Sequence, residues 1–180
     1  MRRPFRASTR LARTLMFCLV FWAYAVPAQA TDLLAWRDAR SLEDLIGHLE
    51  DWLDKHTDLQ RRATAPVVKW TSQANVASIT GSKRAAYVQT VRGLYDGESS
   101  TIWLVRPWSA RDPRDVSVLL HELVHHRQAG DGHWYCPGAQ ELPAYRTQQA
   151  WLAELGLGLD VNWVAIVLEA GCTPRDIHPD

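Results

Sequence analysis

The sequence has little that would tie it to a membrane or a nucleic acid. Its main apolar run, residues 15–26, is twelve residues long, short of the ~20 an apolar helix needs to cross a bilayer. It has no excess charge of either sign, with twenty basic residues against twenty acidic ones. The electrostatic footprint of a nucleic-acid binder is therefore missing. Internal repeats and low-complexity tracts are absent, which excludes a repeat architecture. Cysteine is scarce, three in 180 residues, so at most one disulfide can form within the chain.

What is present begins with an export segment. Arg2, Arg3, Arg6, Arg10 and Arg13 precede the apolar run, and Ala28-Gln29-Ala30 follows it as a small-x-small cleavage site. Residues 1–30 thus read as a signal peptide, with the mature chain starting at Thr31. Arg2-Arg3-Pro4-Phe5 also resembles a twin-arginine signal, so general secretory and twin-arginine export both stand. Either route predicts a periplasmic or secreted protein with no stable membrane anchor after cleavage. Cleavage removes five basic residues and no acidic ones, leaving fifteen against twenty and a formal charge of −5. No nucleic-acid partner is expected. Loss of Cys18 leaves Cys136 and Cys172, an even pair in an oxidising compartment, where a disulfide is expected. Residues 31–180 are one domain's worth of chain. The nine tryptophans, eight of them after residue 30, scatter without a repeat and suit core and cleft-wall positions.

Helical spacing comes next. Ser41 as cap, Asp44 reaching back, and Leu42, Leu45, Ile46, Leu49, Trp52 and Leu53 on one face predict a supporting helix. His48 and His56 read as solvated. From Pro66 the texture turns to short strands, with Val67, Val68 and Trp70, then Tyr87 and Val88. Residues 93–96, a turn at 97–99 and residues 100–105 read as a hairpin ending at Arg106-Pro107. An exposed edge there could pair with an extended peptide. Asp112 and Pro113 start a helix that runs to about Gln128 and breaks at Gly130-Asp131-Gly132. Another helical segment follows Glu141 and ends at Gly156, and a last apolar helix covers residues 161–170. A Cys136–Cys172 bridge would clamp that helix to the segment before Glu141. The fold class expected is α+β: a small antiparallel sheet preceding an active-site helix, helices on one side, and a mostly helical C-terminal half.

The helix after Pro113 carries His121-Glu122-Leu123-Val124-His125. Residues four apart share a helix face, so both imidazoles can point at one metal ion while Glu122 can reach a water on it. Val116, Leu119, Leu120 and Leu123 fall on the opposite face, so one side packs and the other presents ligands. Two histidines satisfied within a core are the plainer alternative. His126 lies off the ligand face and reads as a packing or hydrogen-bonding residue. A catalytic zinc has three protein ligands plus water, and Glu141, Asp131 and His133 are the candidates for the third. Pro143 is tolerated only in the first turn of an unkinked helix, which puts Glu141 at or just outside a helix start, where its carboxylate is either a ligand or simply a cap. Asp131 comes ten residues after His121, a known third-ligand spacing, although Gln128 stands where that pattern needs Gly.

His121-Glu122-Leu123-Val124-His125 with Glu141-x-x-Ala144-Tyr145 resembles the gluzincin branch of the zincin metallopeptidases. The His125-His126 doublet and Glu-Leu-Pro-Ala-Tyr also resemble uncharacterised bacterial secreted proteins. The gluzincin resemblance implies a zincin-like fold, Zn²⁺ held by His121, His125 and Glu141, and Glu122 as general base. Tyr145 stands where many gluzincins have an acidic residue. The function expected is a periplasmic or secreted zinc metallopeptidase, a hydrolase that cleaves a peptide or protein substrate with a metal-activated water. Tyr145, His126 and His133 are each possible oxyanion donors. A non-catalytic periplasmic binding or assembly protein with a structural metal site is the alternative.

Overall fold

In a computed structural model, residues 34–79, 91–132 and 134–172 are described. They form an α+β arrangement of a three-stranded sheet and helices. The expected signal segment with its cleavage site, Tyr87, Val88 and His133 lie outside the described residues. No helix among the described residues is long and apolar enough to cross a membrane.

The supporting helix α1 spans Leu42–His56. Ser41 Oγ accepts from the Asp44 backbone N–H at 3.1 Å, satisfying one of the helix's orphan donors. The Asp44 carboxylate reaches back as expected, but one residue further than the cap, to the Arg40 N–H. Leu45, Leu49, Trp52 and Leu53 are buried, so the spaced apolar face is the face that packs. His56 is partnered rather than freely solvated. Its ring stacks on Trp52, and Nε2 lies 3.0 Å from a Glu154 carboxylate oxygen.

The sheet consists of β1 (Val67–Thr71), β2 (Gly93–Asp96) and β3 (Thr101–Val105), in the order β1-β3-β2. The hairpin β2–β3 forms with the bounds its turn residues imply, Tyr95 opposite Ile102. The expected antiparallel sheet is nevertheless mixed, because β1 pairs with β3 in parallel, Val67 opposite Thr101. Residues 72–92 between β1 and β2 form a connection far longer than a hairpin loop. Such a crossover lets the chain return in either direction. It includes a short helix, α2 (Gln73–Ile79). Ile102 and Leu104 turn inward to the main core, whereas Val105, on the opposite face, packs with Val76 of α2. Helices therefore meet the sheet from both sides rather than one.

The helix α3 (Pro113–Gln128) begins as expected, with Asp112 accepting from the Arg114 N–H at 2.9 Å and Pro113 in the first turn. Its Val116, Leu119, Leu120, Leu123 and Val124 share one core with α1, with Ile102 and Leu104, and with Trp151 and Leu152. Those last two belong to α4, which spans Pro137–Glu154. This corrects the expected start near Glu141: the helix opens at Pro137, with Cys136 as cap residue, and Pro143 lies inside it. Proline has no N–H to bond the carbonyl four residues back. That carbonyl belongs to Ala139 in the first turn, which tertiary contacts hold in place.

Those contacts come from α5 (Trp163–Ala170). A Cys136–Cys172 disulfide ties the start of α4 to the residue after α5's cap. At Gly138 the two backbones nearly touch: a Cβ there would sit 2.4 Å from the Glu169 carbonyl oxygen, so only glycine fits. The bridge spans a sequence separation of 36 residues. Replacing both cysteines by Ser is expected to lower stability by about 3–4 kcal/mol through restored chain entropy. Denaturation midpoints measure this, and an unchanged midpoint would show that packing at Gly138 suffices.

Candidate metal centre

The apolar face of α3 is anchored in the core, so its other face opens into a cleft of about 680 Å³. β2 forms one wall of this cleft and α4 the other, and His121, Glu122, His125, Glu141 and Tyr145 all line it. His121 Nε2 and His125 Nε2 lie 3.0 Å apart. Glu141 Oε2 is 3.4 Å from the first and 3.6 Å from the second. For an ion roughly 2.0–2.1 Å from each ligand, the edge of a ligand tetrahedron is about 3.3–3.4 Å. The three atoms thus have the spacing of three tetrahedral corners. A single point about 2 Å from all of them exists just off their plane. This cluster could hold a metal ion.

Glu141 reaches the site from the second turn of α4, so helix register and not a capping position aims it. Asp131 is exposed just beyond α3 and is not among the clustered groups. His126, one of the possible oxyanion donors, is turned away. Its Nε2 faces the Thr64 carbonyl at 2.9 Å and its Nδ1 the Tyr95 hydroxyl at 3.1 Å. Burial pushes its pKa down, and the packing role expected for it holds. Tyr145 instead stands in the cleft, its ring edge-on to His121 with centroids 4.5 Å apart.

Electrostatics follow from burial and proximity. Burial alone would lower the His125 pKa, but hydrogen bonding to Glu141 and the charges of Glu122 and Glu141 overrule it, pushing it up to about 9. Burial would raise the Glu141 pKa, yet hydrogen bonds from His121 and His125 hold it far below the ordinary carboxylate range. Without metal the trio is therefore an imidazolium–carboxylate cluster, and an incoming cation must displace the proton. Glu122 is different. Burial raises its pKa, opposed by the two imidazoles and a backbone hydrogen bond from Tyr95.

Several contributors were not singled out from the sequence. Gly93 on β2 lies so close to α3 that a Cβ would meet Glu122 Oε1 at 2.6 Å. Gln128 Oε1 lies 2.8 Å from His125 Nδ1. Gln148 Nε2 donates to Ser117 Oγ at 2.9 Å, joining α4 to α3 beneath the cleft. The i,i+3 spacing of His125 and Gln128 was a usable signal for one of these. Gly93 carried none, because its approach to Glu122 exists only in the packed fold.

The profile of a domain family described as a domain of unknown function (DUF6647) matches residues 38–180. No curated protein and no solved structure matches the chain.

Proposed function

We propose that this chain, which belongs to the DUF6647 domain family, is a zinc-dependent metallopeptidase of zincin-like fold, working in the periplasm or outside the cell. The observation that carries this is the convergence of His121, His125 and Glu141 on one point of an open cleft, with Glu122 beside them. A two-nitrogen, one-carboxylate donor set suits zinc, and a cleft that reaches the ligand atoms suits a catalytic site with a free fourth position. The disulfide and the signal-like residues 1–30 fit an exported protein.

When bound, zinc would supply Lewis acidity, polarising a scissile carbonyl and lowering the pKa of a water in the cleft. The other roles belong to the chain. Glu122, made more basic by burial, takes the proton of the attacking water as its oxygen bonds the carbonyl carbon. It then passes that proton to the leaving amine as the C–N bond breaks. The Tyr145 phenol, whose ring lines the cleft against His121, would donate to the developing oxyanion. β2 lies at the edge of the sheet beside the cleft, where an extended substrate can lie along its backbone.

The purified protein should contain about one zinc per chain and cleave members of a peptide or denatured-protein library. A chelator should stop cleavage and added zinc restore it. Absence of bound metal would sink the metal centre. Bound zinc with no cleavage of any peptide would leave a structural site in a binding or assembly protein.

A further inference from the structure

Gln128 is fully buried in the last turn of α3. Its carboxamide spans two elements. Oε1 faces His125 Nδ1 at 2.8 Å, and Nε2 donates to the Gln140 carbonyl at 3.0 Å. Gln140 immediately precedes Glu141, so one planar group touches a ligand on α3 and the residue beside a ligand on α4. A third bond, from Trp134 Nε1 to the Gln128 carbonyl at 3.2 Å, pins the loop between the helices.

The chemistry of the amide decides what it does to the imidazole. Its oxygen can only accept, so Nδ1 of His125 must keep a proton, and it is Nε2 that gives up its proton and offers its lone pair when a cation enters. That lone pair is on the atom grouped with His121 Nε2 and Glu141 Oε2. The partner histidine has no such support. His121 Nδ1 is buried without a hydrogen-bond partner among the described residues. Ligating histidines usually have the second nitrogen fixed in this way, and the fixing partner sets ring orientation and basicity. Here that support falls on one side of the site.

We propose that Gln128 is a positioning residue of the metal centre: it fixes His125 in the tautomer that offers Nε2, and it sets the distance between the helices carrying His125 and Glu141. The proposal rests on the metal-centre reading above. It adds a residue that touches neither the ion nor the substrate.

The test is competitive zinc titration against a chromophoric chelator, with the visible spectrum of the cobalt-loaded protein alongside. Gln128→Met has similar volume but cannot accept from Nδ1 or donate to Gln140. It is expected to bind zinc about 10–100-fold more weakly than wild type and to change the cobalt spectrum. Gln128→Glu keeps the acceptor and should stay nearer to wild type. A merely structural role would lower the melting temperature of the metal-free protein while leaving zinc affinity and the cobalt bands where they were. Equal affinity in wild type and Gln128→Met overturns the proposal and leaves the metal centre standing. Failure of wild type to bind zinc overturns the metal centre, and this role with it. Should Gln128→Met not fold, nitrogen NMR on the zinc-loaded wild type decides the matter. A proton on His125 Nδ1 supports the proposal, and a proton on Nε2 overturns it.

Discussion

Replacing Glu122 by Gln is expected to cut turnover of the zinc-loaded protein by about 10²–10⁴-fold while its zinc content stays the same. Gln matches Glu in shape, so the tight fit beneath Gly93, where a Cβ would come within 2.6 Å of Oε1, is preserved. The clustered ligand atoms belong to His121, His125 and Glu141 and not to Glu122, so metal retention does not depend on the change. Proton transfer does. Burial raises the proton affinity of the carboxylate, the direction a general base needs, and the imidazoles and the Tyr95 hydrogen bond oppose that rise. An amide at this position accepts no proton from the attacking water. Turnover on a cleaved library peptide, together with elemental zinc analysis of the same sample, reads both halves. Full activity with zinc bound removes Glu122 from the role of base. Joint loss of zinc and activity would show that the side chain supports the centre rather than the chemistry.

The parts legible in the sequence are those whose signals are local. Asp112-Pro113 marks the start of α3, the turn after Asp96 marks the hairpin, and the pair Cys136 and Cys172 marks the bridge. The His121–His125 pair shares a face by helix geometry alone. What stayed hidden depends on contacts distant in sequence. The parallel pairing of β1 with β3 is decided across a long crossover, and the register of a crossover is not written in its strands. Pro143 pointed to a later start for α4 because the tether holding the first turn, Cys136 to Cys172 and Gly138 against Glu169, is tertiary. Gln128 looked like a misfit for a turn glycine, and its use as a hydrogen-bond bridge becomes visible only once Gln140 is placed beside it.

Arg127 is the extreme case, since an arginine near the end of a helix reads as a surface residue, yet this one is 1% exposed. Its Nε donates to Glu50 Oε2 at 2.8 Å, and its two terminal nitrogens reach the carbonyls of Leu59 and Glu50 and the Asp54 carboxylate. Glu50 is itself 6% exposed, on the inner side of α1. Arg127→Ala is therefore expected to cost about 3–5 kcal/mol, because it strands a buried carboxylate. A second cation among the described residues, Arg61, is 3.6 Å from Glu50 but 40% exposed. A surface ion pair would cost under about 1 kcal/mol, so urea denaturation separates the two cases. Against a total stability of about 5–15 kcal/mol the larger loss leaves little margin. Changing both partners to Met should recover most of it, since an apolar pair of similar volume removes the charge along with its partner. The position of Arg127, two residues after His125, makes a control necessary. Zinc binding adds stability to the folded state by linkage, so the measurement belongs in chelator and again in saturating zinc. The same loss in both places Arg127 in the fold, holding α1 against α3. A loss seen only with zinc would place it in the support of the metal centre.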